Sequence, residues 1–229
     1  MENSPQNKIV DLLKEKISLK QEVYSKTKDA FFRLKKILGE MASDLQTKVK
    51  HIDKDLTVDF HENGEFEVSF TLADETLLFV MHTNIFTFDS SSLIWKQPYV
   101  QQDKNRSYCG KIFIYNFLAD SFRYNRINDL GYLIGRIFIN REGHFFVEGR
   151  KQMGYLYNDF ASAELNEEAL MKIVEAAVMF TLDFDPFTPP FEQQGEITVR
   201  DVNDAGVQAR ITTGKRLGFR FQSDDRSTF

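Results

Sequence analysis

Cysteine is nearly absent: the 229 residues include one, Cys109. A single thiol excludes an internal disulfide framework and any zinc cluster built on cysteines. It sits in an apolar strand pattern, where a small buried filler is expected rather than a nucleophile. Proline is scarce too, and three of the five stand together at Pro186, Pro189 and Pro190. Long regular elements are therefore allowed before that cluster, and regular structure is expected to end at it. No window approaches about 18 uninterrupted apolar residues, so no membrane-spanning helix is expected. The opening Met-Glu-Asn-Ser-Pro-Gln lacks the basic-then-apolar layout of a signal peptide. The expected location is the cytoplasm.

Glycine-rich phosphate loops are missing as well. Gly131 and Gly135 lie inside a strand pattern and are expected to mark bulges or close backbone approaches. Ser90-Ser91-Ser92 has no flanking glycines of the kind that expose a hydrolase serine. His51, His82 and His144 show no ligand spacing with an acid or with Cys109. Asp183 and Asp185 flank Phe184 and are expected to end a helix as solvated residues. No catalytic residues, no metal site and no cofactor are expected from these patterns, so the chain leans away from being an enzyme.

Aromatic side chains are abundant: 22 Phe within a 42% hydrophobic composition demand a substantial core. The net charge of -5 is mild but unevenly spread. The first 54 residues hold 12 Lys and Arg against 8 Asp and Glu, which leaves the rest of the chain acidic. Docking of a basic helical segment on an acidic body is the expected use of that asymmetry, ahead of phosphate binding.

The period of the apolar pattern changes near residue 52. Ile9, Leu12, Leu13 and Ile17 form one helical stripe. Tyr24, Phe31, Leu38 and Leu45 then recur every seven residues, with Leu34 and Met41 between them. Thr27 and Lys48 interrupt this seam, which favours docking on a sheet over pairing with a second copy. From His51 the pattern turns strand-like. Ile52, Leu56, Val58 and Phe60 share a face, as do Phe66, Val68, Phe70 and Leu72. A three-residue loop, Glu62-Asn63-Gly64, places both rows on one core by pairing Phe60 with Phe66 and Val58 with Val68. Thr76 to Phe88 is apolar on both faces at its centre and should be a central strand. Tyr108 to Leu118 is another strand, with Ser121 to Arg126 as a short hairpin partner. Tyr132 to Asn140 and His144 to Glu148 form a last hairpin, with Ile137 opposite Val147 and Ile139 opposite Phe145. Asn166 then caps a helix whose inward stripe is Leu170, Ile173, Val174, Ala177, Val178 and Thr181.

These readings predict an α+β fold: a mainly antiparallel sheet of about six or seven strands, N-terminal helices, one C-terminal helix and an extended C-terminal arm. The expected segments are 1–50 (helical), 51–183 (sheet body with closing helix) and 184–229 (Pro/Phe hinge and arm). That plan occurs among adaptors, chaperone-like proteins and small-ligand pockets alike, so fold alone does not select a function.

Three constellations compete for function. In the arm, Phe184, Phe187 and Phe191 alternate with prolines, and Arg200, Arg210, Lys215, Arg216 and Arg220 follow. Such a segment can engage a protein partner or a second copy by strand addition, or seal its own sheet. The protein-binding residues expected on this basis are Phe187, Phe191, Arg200, Arg210, Lys215, Arg216 and Arg220. The second constellation, Asp53, Asp55, Asp59 and His61, shares strand parity and offers oxygen and nitrogen donors to a divalent metal, the alternative being a metal-dependent enzyme that uses this acidic face. Residues two apart on a strand stand roughly 6.5–7 Å apart, so a solvated edge is the simpler expectation. In the third, Phe122, Arg123, Tyr124 and Arg126, and again Lys215, Arg216, Phe219, Arg220 and Phe221 in the arm, interleave rings and cations as single-strand nucleic-acid surfaces do. The acidic balance of the chain argues against that use. A non-catalytic protein-binding subunit is the expected function.

Overall fold

A computed structural model describes residues 5–52, 56–150, 154 and 159–183. One helix, α1 (Pro5–Val49), precedes a sheet of β1 (Val58–Glu62), β2 (Glu67–Leu72), β3 (Glu75–Phe86), β4 (Cys109–Leu118), β5 (Tyr132–Ile139) and β6 (Phe145–Gly149). Short helices α2 (Pro98–Gln102) and α3 (Ala119–Arg123) lie on either side of β4 in the chain, and α4 (Glu167–Leu182) follows the sheet. The strands pair antiparallel in simple sequence order, β1 to β6, so β3 and β4 are central as their apolar centres require. The fold is α+β, as its sequence pattern predicts. The arm from residue 184 onward lies outside the described residues.

The two N-terminal stripes belong to one continuous helix, not two. No glycine or proline stands between Leu19 and Tyr24, and Val10, Ile17 and Tyr24 keep the seven-residue spacing that links the stripes. From Leu19 onward α1 docks on the sheet. Phe31, Leu34 and Leu38 join Val68, Phe70, Leu77, Phe79, Met81, Ile112, Ile114 and Ile137 in the main core. Leu170, Ile173, Val174, Ala177 and Val178 of α4 enter the same core, so both long helices cover one face of the sheet.

Thr27, expected to interrupt the seam, is fully buried and donates its hydroxyl to the Val23 carbonyl at 2.7 Å. Its place is set by Gly110 of β4. A Cβ built on that glycine would overlap the Thr27 hydroxyl and stand 2.8 Å from Thr27 Cβ and Cγ2. A small helix residue meets a residue without a side chain, and the helix lies close against the sheet. The basic character of α1 is used in docking: Lys35 Nζ donates to Glu62 (2.9 Å) and to the Gly64 carbonyl (2.6 Å), and Lys28 pairs with Glu65 at 2.5 Å.

The first hairpin keeps the predicted faces but not the predicted register. Phe60 opposes Phe70 and Val58 opposes Leu72. The loop is Gly64-Glu65-Phe66, closed by the Asn63 amide donating to the Glu67 carbonyl at 3.1 Å. The Phe66 carbonyl accepts from Met81, which commits that residue to β3 rather than to Phe60. Shifting each partner by four residues preserves parity, so the apolar rows still face one core. Ile52 and Leu56 do not join the strand. Ile52 sits in the turn closing α1 and is exposed, and the strand starts at Val58, whose carbonyl accepts from Gln46 Nε2 at 2.6 Å.

The last hairpin has the predicted register, Ile137 opposite Val147 and Ile139 opposite Phe145. The register between β4 and β5 shifts next to Gly135, and a Cβ on Gly131 would collide with the Phe117 ring, so both glycines act as their pattern suggests. Asn166 caps α4 through Oδ1, which accepts from the Ala169 amide at 2.8 Å. Ser121 to Arg126 does not form a strand. The chain turns into α3, and Asn125 takes a positive φ of 49° that asparagine tolerates.

Candidate functional site

A 45-residue helix is about 68 Å long, whereas five inter-strand gaps span roughly 24 Å and a 12-residue strand about 40 Å. Such a helix must project beyond the sheet it covers. The projecting part is its beginning: Ile9, Val10, Leu12, Leu13 and Ile17 are each between 45 and 56% exposed. These residues continue the docking face, since Leu12 lies one heptad before buried Leu19 and Ile9 lies two before buried Val23. The same apolar face is thus covered by the sheet from Leu19 onward and uncovered before it.

Beside this projection runs a groove of about 500 Å³, lined by Ile17, Lys20, Gln21, Tyr24, Thr83, Asn84, Ile85 and Phe86. Its far wall is the end of β3. The pairing of β2 with β3 stops at Val80, and β3 continues to Phe86 with no described strand on that side. The Asn84 amide donates to His82 Nδ1 at 3.0 Å, and the register with β4 shifts between His82 and Phe86. An apolar helix face, an apolar groove and an open strand edge therefore adjoin.

The sheet face opposite the long helices carries a second surface. Across neighbouring strands, Leu78 stands beside Tyr115 and Leu133, and Val80 beside Phe113 and Arg136. Phe113 stacks on Tyr115 at 5.9 Å, and Lys111 Nζ lies 3.4 Å from the centre of the Phe86 ring. Lys111 makes no ion pair among the described residues. Burial, with Arg136 adding repulsion, holds its pKa below the ordinary lysine value. At one end this face is covered: Ile94, Tyr99, Val100, Cys109, Phe138 and Phe160 form a separate small core with Phe88, Trp95 and Phe146 around it. Cys109 is fully buried there and its thiol pKa is pushed far up by desolvation, in keeping with a filler.

A polar network ties that small core to the β5–β6 loop. Tyr99 donates its hydroxyl to Glu142 (2.7 Å) and accepts from Asn140 Nδ2 (2.8 Å), while Arg106 Nε donates to Glu142 at 2.9 Å. Asn140 Oδ1 accepts from the amides of Glu142 and His144 and shapes the loop. Burial, then the bond to Glu142, push the Tyr99 phenol up to about 12. For Glu142, burial opposes ionisation, but the bonds from Tyr99 and Arg106 outweigh it and lower the carboxyl pKa. His144 stacks on Tyr99 at 5.2 Å. Tyr99, Arg106, Asn140 and Glu142 are paired with one another, which suits a clamp holding the 98–107 segment to the loop, while His144 Nδ1 is buried with no hydrogen-bond partner among the described residues.

The residues singled out in the sequence fare unequally. Asp59 and His61 are exposed on the edge strand β1, on one side of it, while Asp53 and Asp55 lie outside the described residues. Among the described residues no group of three His, Cys, Asp or Glu side chains is placed to hold a metal. In the Phe122–Arg126 segment, Arg123 bonds Asp120 at 3.2 Å and Arg126 lies among Asp120, Asp129 and the Tyr124 ring. Acids thus accompany both cations. Phe187, Phe191, Arg200, Arg210, Lys215, Arg216 and Arg220 lie outside the described residues.

Sequence reasoning identified the stripe at Ile9, Leu12, Leu13 and Ile17 but not its exposure, although the helix length alone requires a projection. It missed the Tyr99 clamp, whose central pair, Tyr99 and Glu142, is 43 residues apart and shares no periodicity. No described helix is long and apolar enough to cross a membrane. Comparison with protein families, curated proteins and solved structures finds no match to this chain.

Proposed function

We propose that this chain is a non-catalytic, cytoplasmic protein-binding subunit whose partner packs on the projecting first turns of α1 and the groove beside them. The observation that supports this reading is the uncovered run Ile9, Val10, Leu12, Leu13 and Ile17, contiguous with a face that is otherwise core. Apolar side chains in that number, in register with a docking seam, favour a protein surface as occupant. The arm's cations Arg200, Arg210, Lys215, Arg216 and Arg220 supply a second, polar contact in this proposal. A second copy of the chain is one candidate partner.

The test is affinity capture of the intact chain from its native host, beside Leu13→Glu/Ile17→Glu and a chain ending at residue 183. The reading predicts that the Leu13/Ile17 variant loses its partner while its circular dichroism is unchanged, since neither side chain is in the core. Undiminished capture by that variant overturns it. Capture reduced by the truncation alone would move the contact wholly to the arm.

A further inference from the structure

We propose that the partner of the projecting α1 turns enters the groove as an extended, acidic segment and adds a strand to the end of β3. This inference rests on the proposed function and names the kind of chain that the same surface takes. Two observations carry it: the charges of the projecting turns are segregated, and the far wall of the groove is a strand end outside the described ladders.

Helical spacing sets the charges apart. Ile9, Leu13, Lys16 and Lys20 follow one another at four- and three-residue intervals, so both cations stand in the apolar row. Asp11, Glu15 and Glu22 lie about half a turn away, on the opposite face. Asp and Glu are absent from the described residues that line the groove, whereas Lys20 is among them. A complementary occupant brings apolar side chains and carboxylates. Two copies meeting through this face would bring their cations together with no acid between them, so the same face of a second copy does not fit.

The end of β3 selects the backbone conformation of the occupant. β2 stops pairing at Val80, and β4 pairs with His82 and next with Phe86, so Thr83, Asn84 and Ile85 belong to neither described ladder. The Met81 amide donates towards β2, to the Phe66 carbonyl. Alternation by two turns the amides and carbonyls of Thr83 and Ile85 to that same side, and Thr83 is exposed. Such an edge binds extended chain through its main-chain groups, and alternate side chains of the added strand then face α1 beside Ile17, Lys20 and Tyr24. A groove walled by a helix and a strand admits a single chain and excludes a flat lipid surface.

The experiment selects phage-displayed random peptides of about ten residues, enough for one strand, on the full chain. The inference predicts enriched sequences that alternate apolar residues with others and carry more Asp and Glu than Lys and Arg. Fluorescence polarisation should show the selected peptides binding Thr83→Pro and Lys16→Glu/Lys20→Glu several-fold more weakly than the native chain. Thr83→Val keeps the amide and should bind as the native chain does. Edge strands tolerate proline, and Ile85→Pro repeats the test should Thr83→Pro fail to fold. Enrichment of basic sequences, of sequences with helical spacing, or of none overturns the inference, as does undiminished binding to the folded proline variants. Partner capture lost in Leu13→Glu/Ile17→Glu but kept in Thr83→Pro would sink this inference alone and leave the proposed function standing.

Discussion

Gly110→Ala isolates the contact that fixes α1 on the sheet. In most strands this change is favourable by roughly 0.5–1 kcal/mol, because alanine restricts the unfolded chain more than glycine does. Gly110 has no unusual backbone angle to forbid it. Here the added methyl would overlap the Thr27 hydroxyl and crowd Thr27 Cβ and Cγ2 at 2.8 Å. Thr27 is held by its bond to the Val23 carbonyl and by a helix with core residues on both sides of it, so it cannot simply rotate away. Overpacking of this kind costs about 1–3 kcal/mol and exceeds the entropic gain. For a chain of this size each kcal/mol moves Tm by roughly 2–4 °C. Thermal and urea unfolding of Gly110→Ala should therefore show a clear loss. Adding Thr27→Ala removes two of the three crowding atoms, so the double variant should lose less than the sum of the single losses. Equal or higher stability of Gly110→Ala would refute the close crossing of α1 over β4.

Asn166→Ala removes the cap of α4 and should lower stability by about 1 kcal/mol in urea unfolding. Tyr99 gives a pH signature. Its folded pKa, about 12, lies above the unfolded value near 10, so its contribution is complete below pH 10 and is lost as pH rises through 12. Unfolding measured between pH 9 and 12 should steepen through that window for the native chain and flatten for Tyr99→Phe. Cys109 should resist alkylation at neutral pH until the chain is unfolded, because burial both shields the thiol and disfavours its thiolate.

Much of the fold was legible because parity and heptad spacing are properties of the chain alone. The central strands, the stripe of α4, its Asn166 cap and the β5–β6 register all follow from spacing. The β1–β2 register did not, because parity is unchanged by a shift of four, and the choice was made by contacts remote in sequence: Met81 bonding to Phe66, and Lys35 bonding to Glu62 and Gly64. Thr27 was misjudged for a similar reason. A polar residue in a seam signals exposure unless the facing residue is known, and Gly110 lies 83 positions away. Ser121–Arg126 alternates like a strand, yet Asp120 and Asp129 draw Arg126 into a local turn. At the candidate site the apolar stripe was visible from Ile9 to Ile17. Its uncovered state depended on the size of the sheet, which no local pattern encodes.

The most direct test of the central claim is amide hydrogen exchange over residues 5–18, measured for the chain alone and with its captured partner. An uncovered helix end opens by fraying, so these amides should exchange fast in the free chain while those of Phe31 to Leu38 are protected. Binding should slow residues 5–18 strongly. Protection already complete in the free monomer, or no change when the partner binds, would contradict the account.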